Sequence, residues 1–101
     1  DVGIGLEEPA IAVHDAVNGV CDILGLDPLY VANEGVMAIL LPESAATQAL
    51  DVLRSHPLGA SATLIGRVTA PATPGHVHLR SAFGTERNLI RLSGEQLPRI
   101  C

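Results

Sequence analysis

A chain of 101 residues fits one domain and is long enough for a single core, folding at this size burying somewhat over roughly 60% of the surface the unfolded chain exposes. With no lysine, six arginines and eleven acids, the net charge of −5 excludes the basic surface that nucleic acid or an anionic membrane requires. Aromatics make up 2% of the residues against 48% for all hydrophobic types, so the core has to be built from Ala, Val, Ile and Leu.

Asp1 to Leu6 reads as a short strand, broken by Glu7-Glu8-Pro9. A first helix is expected from Val13 to Leu24, because Val13, Ala16, Val17, Val20, Ile23 and Leu24 recur at helical spacing and Gly25 stands where a helix ends. Its centre is weak: Asn18-Gly19 costs about 1 kcal/mol relative to alanine, so burial of the Val17, Val20 and Leu24 face is expected to hold it. Cys21 reads as a small buried hydrophobe.

Two strands are then expected, Leu29 to Ala32 and Val36 to Leu41, the second aliphatic enough to be covered on both faces. Asn33-Glu34-Gly35 between them has the composition of a hairpin turn. After Pro42, Glu43 to Ser55 reads as a second helix with Ala46, Ala49, Leu50 and Leu53 inward, acid at its start, and Arg54 and His56 complementing the dipole at its end. Pro57 forbids continuation.

The remainder reads as a meander. Ala62, Leu64, Gly66 and Val68 alternate with Thr63, Ile65, Arg67 and Thr69; Pro71 to Gly75 turns the chain; Val77, Leu79, Ser81 and Phe83 alternate with His76, His78, Arg80 and Ala82. His76 and His78 share a face, but two imidazoles without a third ligand argue against a metal site. After Gly84 to Arg87, a last strand near Asn88 to Leu92 is expected. The order β-α-β-β-α-β-β-β implies an α+β fold, a two-layer sandwich of two helices on a mixed, largely antiparallel sheet. Residues 1–92 would form this domain and 93–101 a mobile tail.

That tail ends Leu97-Pro98-Arg99-Ile100-Cys101. Gly94 and Pro98 oppose helix, and at roughly 3.3 Å per residue the stretch after Leu92 can carry the terminal thiol about 25 Å, the geometry of a carrier arm. Two cysteines make no disulfide framework, and a working thiol here would need a reducing compartment, the cytoplasm. No apolar run approaches the roughly 20 residues that cross a bilayer, and no signal peptide is apparent.

Together with Ile23-Leu24-Gly25-Leu26-Asp27-Pro28-Leu29-Tyr30-Val31-Ala32-Asn33-Glu34-Gly35, the Pro-Arg-Ile-Cys ending closely resembles the C-terminal domain of the nickel-iron hydrogenase maturation protein HypE, the carbamoyl dehydratase that makes cyanide ligands. The resemblance implies a fold similar to the C-terminal domain of aminoimidazole ribonucleotide synthetase. It implies that Cys101 accepts a carbamoyl group from a partner carbamoyltransferase, and that ATP with Mg²⁺, bound mainly outside these residues, drives dehydration to a thiocyanate for delivery to an iron-carrying scaffold complex. Glu34, in the Asn33-Glu34-Gly35 turn, would assist proton removal; Pro98, Arg99 and Ile100 would dock the tail, and Arg99 is the nearest candidate to favour the thiolate. Val36 stands where the family is expected to carry a polar or basic residue.

No Gly-rich phosphate loop, no cluster of metal-binding acids and no Asp-Pro-Thr-Arg-Gly-Gly segment occurs in the sequence. The expectation is a piece of a larger enzyme, homodimeric when whole, lacking the first helix of its own domain and inactive alone. Two other classes remain open at this point: a small-molecule-binding or regulatory domain of a related ATP-dependent synthetase, with Cys101 incidental, and a thiol redox or interaction module, for which a second accessible cysteine would be expected.

Overall fold

A computed structural model describes residues 2–70 and 75–91. Its regular elements are β1 (Gly3–Glu7), α1 (Asp15–Leu24), α2 (Ala46–Arg54), β2 (Gly66–Thr69), β3 (Val77–Arg80) and β4 (Glu86–Leu89). By proximity the described chain divides into two units, one of residues 2–12, 41–70 and 75–91, the other of residues 13–40.

The first unit is built on a four-stranded sheet of order β2-β1-β3-β4. β1 pairs antiparallel with β2 (Gly5 opposite Arg67) and parallel with β3 (Gly5 opposite His78), while β3 and β4 are antiparallel (His78 opposite Asn88). The sheet is therefore mixed and largely antiparallel, as the sequence predicts, but the expected meander is corrected. β1 lies between β2 and β3, so the two alternating runs read as neighbours are separated by the first strand of the chain.

Successive strand residues face opposite ways, so this register sorts the side chains cleanly. Ile4, Leu6, Val77, Leu79 and Leu89 share one face, and Leu79 at its centre is fully buried. Thr69, Arg67, His78, Arg80, Asn88, Glu86 and Glu7 share the other, where β1 contributes Gly3 and Gly5. The turn between β3 and β4 begins earlier than alternation predicts. Ser81 Oγ accepts from the Phe83 and Thr85 amides at 3.3 and 3.2 Å, and the Ser81 amide donates to the Thr85 carbonyl at 2.8 Å. These bonds close the hairpin at Ser81, so Phe83 sits at its tip, 97% exposed, and β4 starts at Glu86, before Asn88.

In the same unit, Glu43–Ala45 forms a 3-10 turn that runs into α2. Ala46, Ala49, Leu50 and Leu53 are its half-buried face, as their spacing predicts. Arg54 Nε donates to the Ala62 carbonyl at 2.8 Å, tying the last turn of the helix to the loop beyond. The His56 ring caps the 3-10 turn Pro57–Gly59, Nδ1 accepting from the Leu58 amide at 3.1 Å, which makes it an end-of-helix residue.

In the second unit α1 ends as expected, with Gly25 left-handed at φ 68° and its amide bonded to the Cys21 carbonyl. Cys21 is buried at 3% exposure, and α1 packs against the 3-10 turn Pro28–Tyr30. The aliphatic face expected to be buried is not: Val17, Val20, Ile23 and Leu24 are all exposed.

The hairpin expected over Leu29 to Leu41 is also corrected. Pro28 presets the first position of a 3-10 turn, Asp27 Oδ1 accepts from the Leu29 amide at 3.0 Å, and the Tyr30 and Val31 amides donate to Asp27 and Pro28. The amides of a first strand are thereby spent locally. Residues 36–41 form no strand, and Val36, Met37, Ile39 and Leu40 are exposed. A strand exists only where a ladder partner takes its backbone groups.

Candidate functional site

At Asn33-Glu34-Gly35 the chain makes a bend, at residues 34 and 35, and not the hairpin turn expected. Gly35 takes φ 78°, the left-handed value its glycine allows, and Asn33, Glu34 and Val36 are exposed around it. Glu34 thus lies on an open bend rather than at the tip of a hairpin. Cys101 and its neighbours Pro98, Arg99 and Ile100 lie outside the described residues. Cys21 is buried in the wall of α1, consistent with a packing role and remote from any use as an accessible thiol.

A second polar assembly, absent from the sequence reading as a unit, lies on the open face of the sheet. Arg80 on β3 reaches Glu7 on β1 (Nη1 to Oε1, 3.4 Å) and Glu86 on β4 (Nη2 to Oε1, 3.5 Å), so one guanidinium staples three strands. Arg67 on β2 pairs with Glu43 ahead of α2, and that hydrogen bond holds its guanidinium pKa above the usual arginine value. Between these pairs is a concavity of about 270 Å³ whose lining includes Gly5, Arg67, Thr69, His78 and Arg80. The signal available beforehand was the alternation of glycine with apolar residues in Gly3-Ile4-Gly5-Leu6, which leaves one face of the central strand bare. It becomes legible only once β1 is known to be central.

His76 and His78 stand with ring centroids 6.2 Å apart. Among the described residues no group of three or more His, Cys, Asp or Glu side chains is arranged to hold a metal ion. Nor does any described helix have the length and apolarity to cross a membrane.

A family model, that of the C-terminal domain of AIR synthase related proteins, matches residues 1–78. The chain belongs to this family. Within the AIR synthase related proteins it is similar to the carbamoyl dehydratase HypE of Rhodobacter capsulatus, 48% identical over 98% of the chain, of which it spans 29% of the length. Among solved structures it is similar to the hydrogenase maturation protein HypE in complex with ATP, with TM-score 0.88 and 44% identity over 99% of this chain and 31% of that one. A HypE–HypF complex matches with TM-score 0.81 and 32% identity over 90% of this chain and 29% of that one. The mixed sheet with two helices is thus the fold of an AIR synthase related C-terminal domain, and the chain corresponds to about a third of the proteins it resembles.

Proposed function

We propose that this chain is the C-terminal part of an ATP-dependent carbamoyl dehydratase of hydrogenase maturation, and that its terminal thiol carries the reacting group. The observation that carries the reading is the similarity to carbamoyl dehydratases across 98% of the chain, together with the Pro98-Arg99-Ile100-Cys101 segment that carries the resemblance.

In this reading the Cys101 thiolate attacks an activated carbamoyl group held by a carbamoyltransferase. The sulfur–carbon bond forms, the activating group leaves, and the product is an S-carboxamide. The HypE–HypF complex among the similar structures supports a partner of that kind. ATP then phosphorylates the carboxamide oxygen. Loss of the two nitrogen protons and departure of the oxygen as phosphate convert the carboxamide to a thiocyanate. Glu34 is the proposed acceptor of a nitrogen proton, one that becomes acidic only after phosphorylation, so the residue would act in dehydration and not in carbamoyl transfer.

Among the described residues no group of three or more His, Cys, Asp or Glu side chains is arranged to hold a metal ion, and the sequence contains no Gly-rich phosphate loop. A similar structure is a complex with ATP, which supports ATP as a ligand of the whole protein, and nucleotide with Mg²⁺ would be held mainly by the rest of that longer protein. The thiol chemistry requires a reducing compartment, for which the cytoplasm is proposed, with an iron-carrying scaffold complex as cyanide acceptor and a homodimer as the whole protein's assembly. The test is transfer of a labelled carbamoyl group from the donor enzyme to the full-length protein. Label should appear on the wild type and not on Cys101→Ala; equal labelling of both would refute the assignment of the thiol.

A further inference from the structure

Gly5 is the centre of the observation. It lies in the middle of the central strand, paired on both sides, where glycine weakens a sheet and a β-branched residue would be favoured. Its backbone does not require glycine, since its φ is not positive. Crowding does not require it either: a Cβ there would meet only the Thr69 methyl at 3.8 Å, an ordinary contact. Glycine inside a strand that neither strain nor packing explains marks a place where something from outside approaches the backbone closely.

What flanks this bare strip has a definite chemistry. Directly opposite Gly5 stand Arg67 on one side and His78 on the other, with Thr69 one pleat along, and all line the same concavity. The strand amides are engaged in the ladder on both sides, so recognition has to come from these side chains, all three of which can donate hydrogen bonds. The partner of Arg67, Glu43, is itself well exposed, and such surface pairs exchange readily for a better ligand. At the other end Arg80 is held between Glu7 and Glu86, two carboxylates for one guanidinium, which turns an anion away from that end. The volume of about 270 Å³ falls below the roughly 300–1,000 Å³ that drug-sized ligands occupy, so the occupant is small.

We propose that the strip over Gly5 is a binding slot for the oxyanion end of a small carboxylate or phosphate, taken between the Arg67 guanidinium, the Thr69 hydroxyl and the His78 imidazole. This site shares no residue with Asn33-Glu34-Gly35 and does not depend on the carbamoyl chemistry proposed above. Amide NMR shifts of the chain, titrated in parallel with inorganic phosphate and with acetate at constant ionic strength in chloride, test it. Saturable shifts centred on Gly5, Arg67, Thr69 and His78 are expected with at least one of the two, and the stronger binder names the source. Arg67→Gln should weaken that binding by about tenfold or more, the worth of one charge-assisted hydrogen bond. Gly5→Val should abolish it while leaving the thermal midpoint unchanged or higher. Shifts that do not saturate with either anion, or binding untouched by Arg67→Gln, would overturn the proposal even if the valine variant failed to fold.

Discussion

Gly19 shows how a single residue sets the strength of an element. It stands in the middle of α1 after Asn18, and nothing lies within 4 Å of where its Cβ would be. Replacement by alanine removes freedom from the unfolded chain and meets no neighbour, so Gly19→Ala should stabilise the chain by about 0.5–1 kcal/mol in urea denaturation. A destabilised variant would mean that α1 packs differently around position 19. The opposite sign is expected at Asp27, whose side chain caps the Pro28–Tyr30 turn. Asp27→Ala should cost about 0.5–2 kcal/mol and speed amide exchange at Leu29; exchange at the wild-type rate would show that the cap is idle. The first effect is legible in the sequence, where Asn18-Gly19 announces a weak helix centre; the second is not, because the aliphatic residues from Leu29 to Ala32 read as strand and conceal the turn that Asp27 caps.

Element by element, helices were more legible than strands, for a physical reason. The spacing in Val13 to Leu24 and the glycine after it placed α1 to within two residues of its observed start and at its observed end, since a helix satisfies its own backbone. Strands depend on partners that alternation cannot name. The runs about Val68 and Leu79 were each recognised as strand, but that β1 divides them follows only from the sheet. Ser81 ended β3 early because its hydroxyl bonds two following amides, a local competition that an alternating pattern conceals. The β1–β2 junction gives a sharp test of the observed register. A Cβ on Gly66 would meet the Leu6 side chain at 2.9 Å and collide with the Gly5 carbonyl. Gly66→Ala should therefore lower stability by about 1–3 kcal/mol, the usual cost of overpacking, and a neutral thermal midpoint would contradict the pairing of Gly66 with Leu6.

For the whole molecule, the small buried core is decisive. Among the described residues only Leu79 and Cys21 are buried hydrophobics, while Val36, Met37, Ile39 and Leu40 form an exposed aliphatic run. Contiguous apolar surface of this kind drives association, so the chain should form dimers or larger species in light scattering as concentration rises. A strictly monomeric chain would show that the run is covered in solution. The chain alone should also give no micromolar heat of Mg-ATP binding in calorimetry, its described residues having neither phosphate cradle nor acid cluster.

The family was legible in the tail sequence and the Asn33-Glu34-Gly35 stretch, through resemblance rather than through spacing or composition; the bend at Glu34 is observed, and the tail lies beyond the described residues. The most direct measurement is therefore the mass of the C-terminal peptide of the full-length protein after incubation with the carbamoyl donor, with and without ATP. From a donor already charged with carbamoyl-adenylate, the peptide should gain a carbamoyl group on Cys101 without further ATP and lose one water's mass from that adduct when ATP is added, whereas Glu34→Gln should stop at the carbamoyl stage. A peptide that never gains mass would contradict the account at its centre, and thiocyanate formed by Glu34→Gln at the wild-type rate would reduce the glutamate to a turn residue.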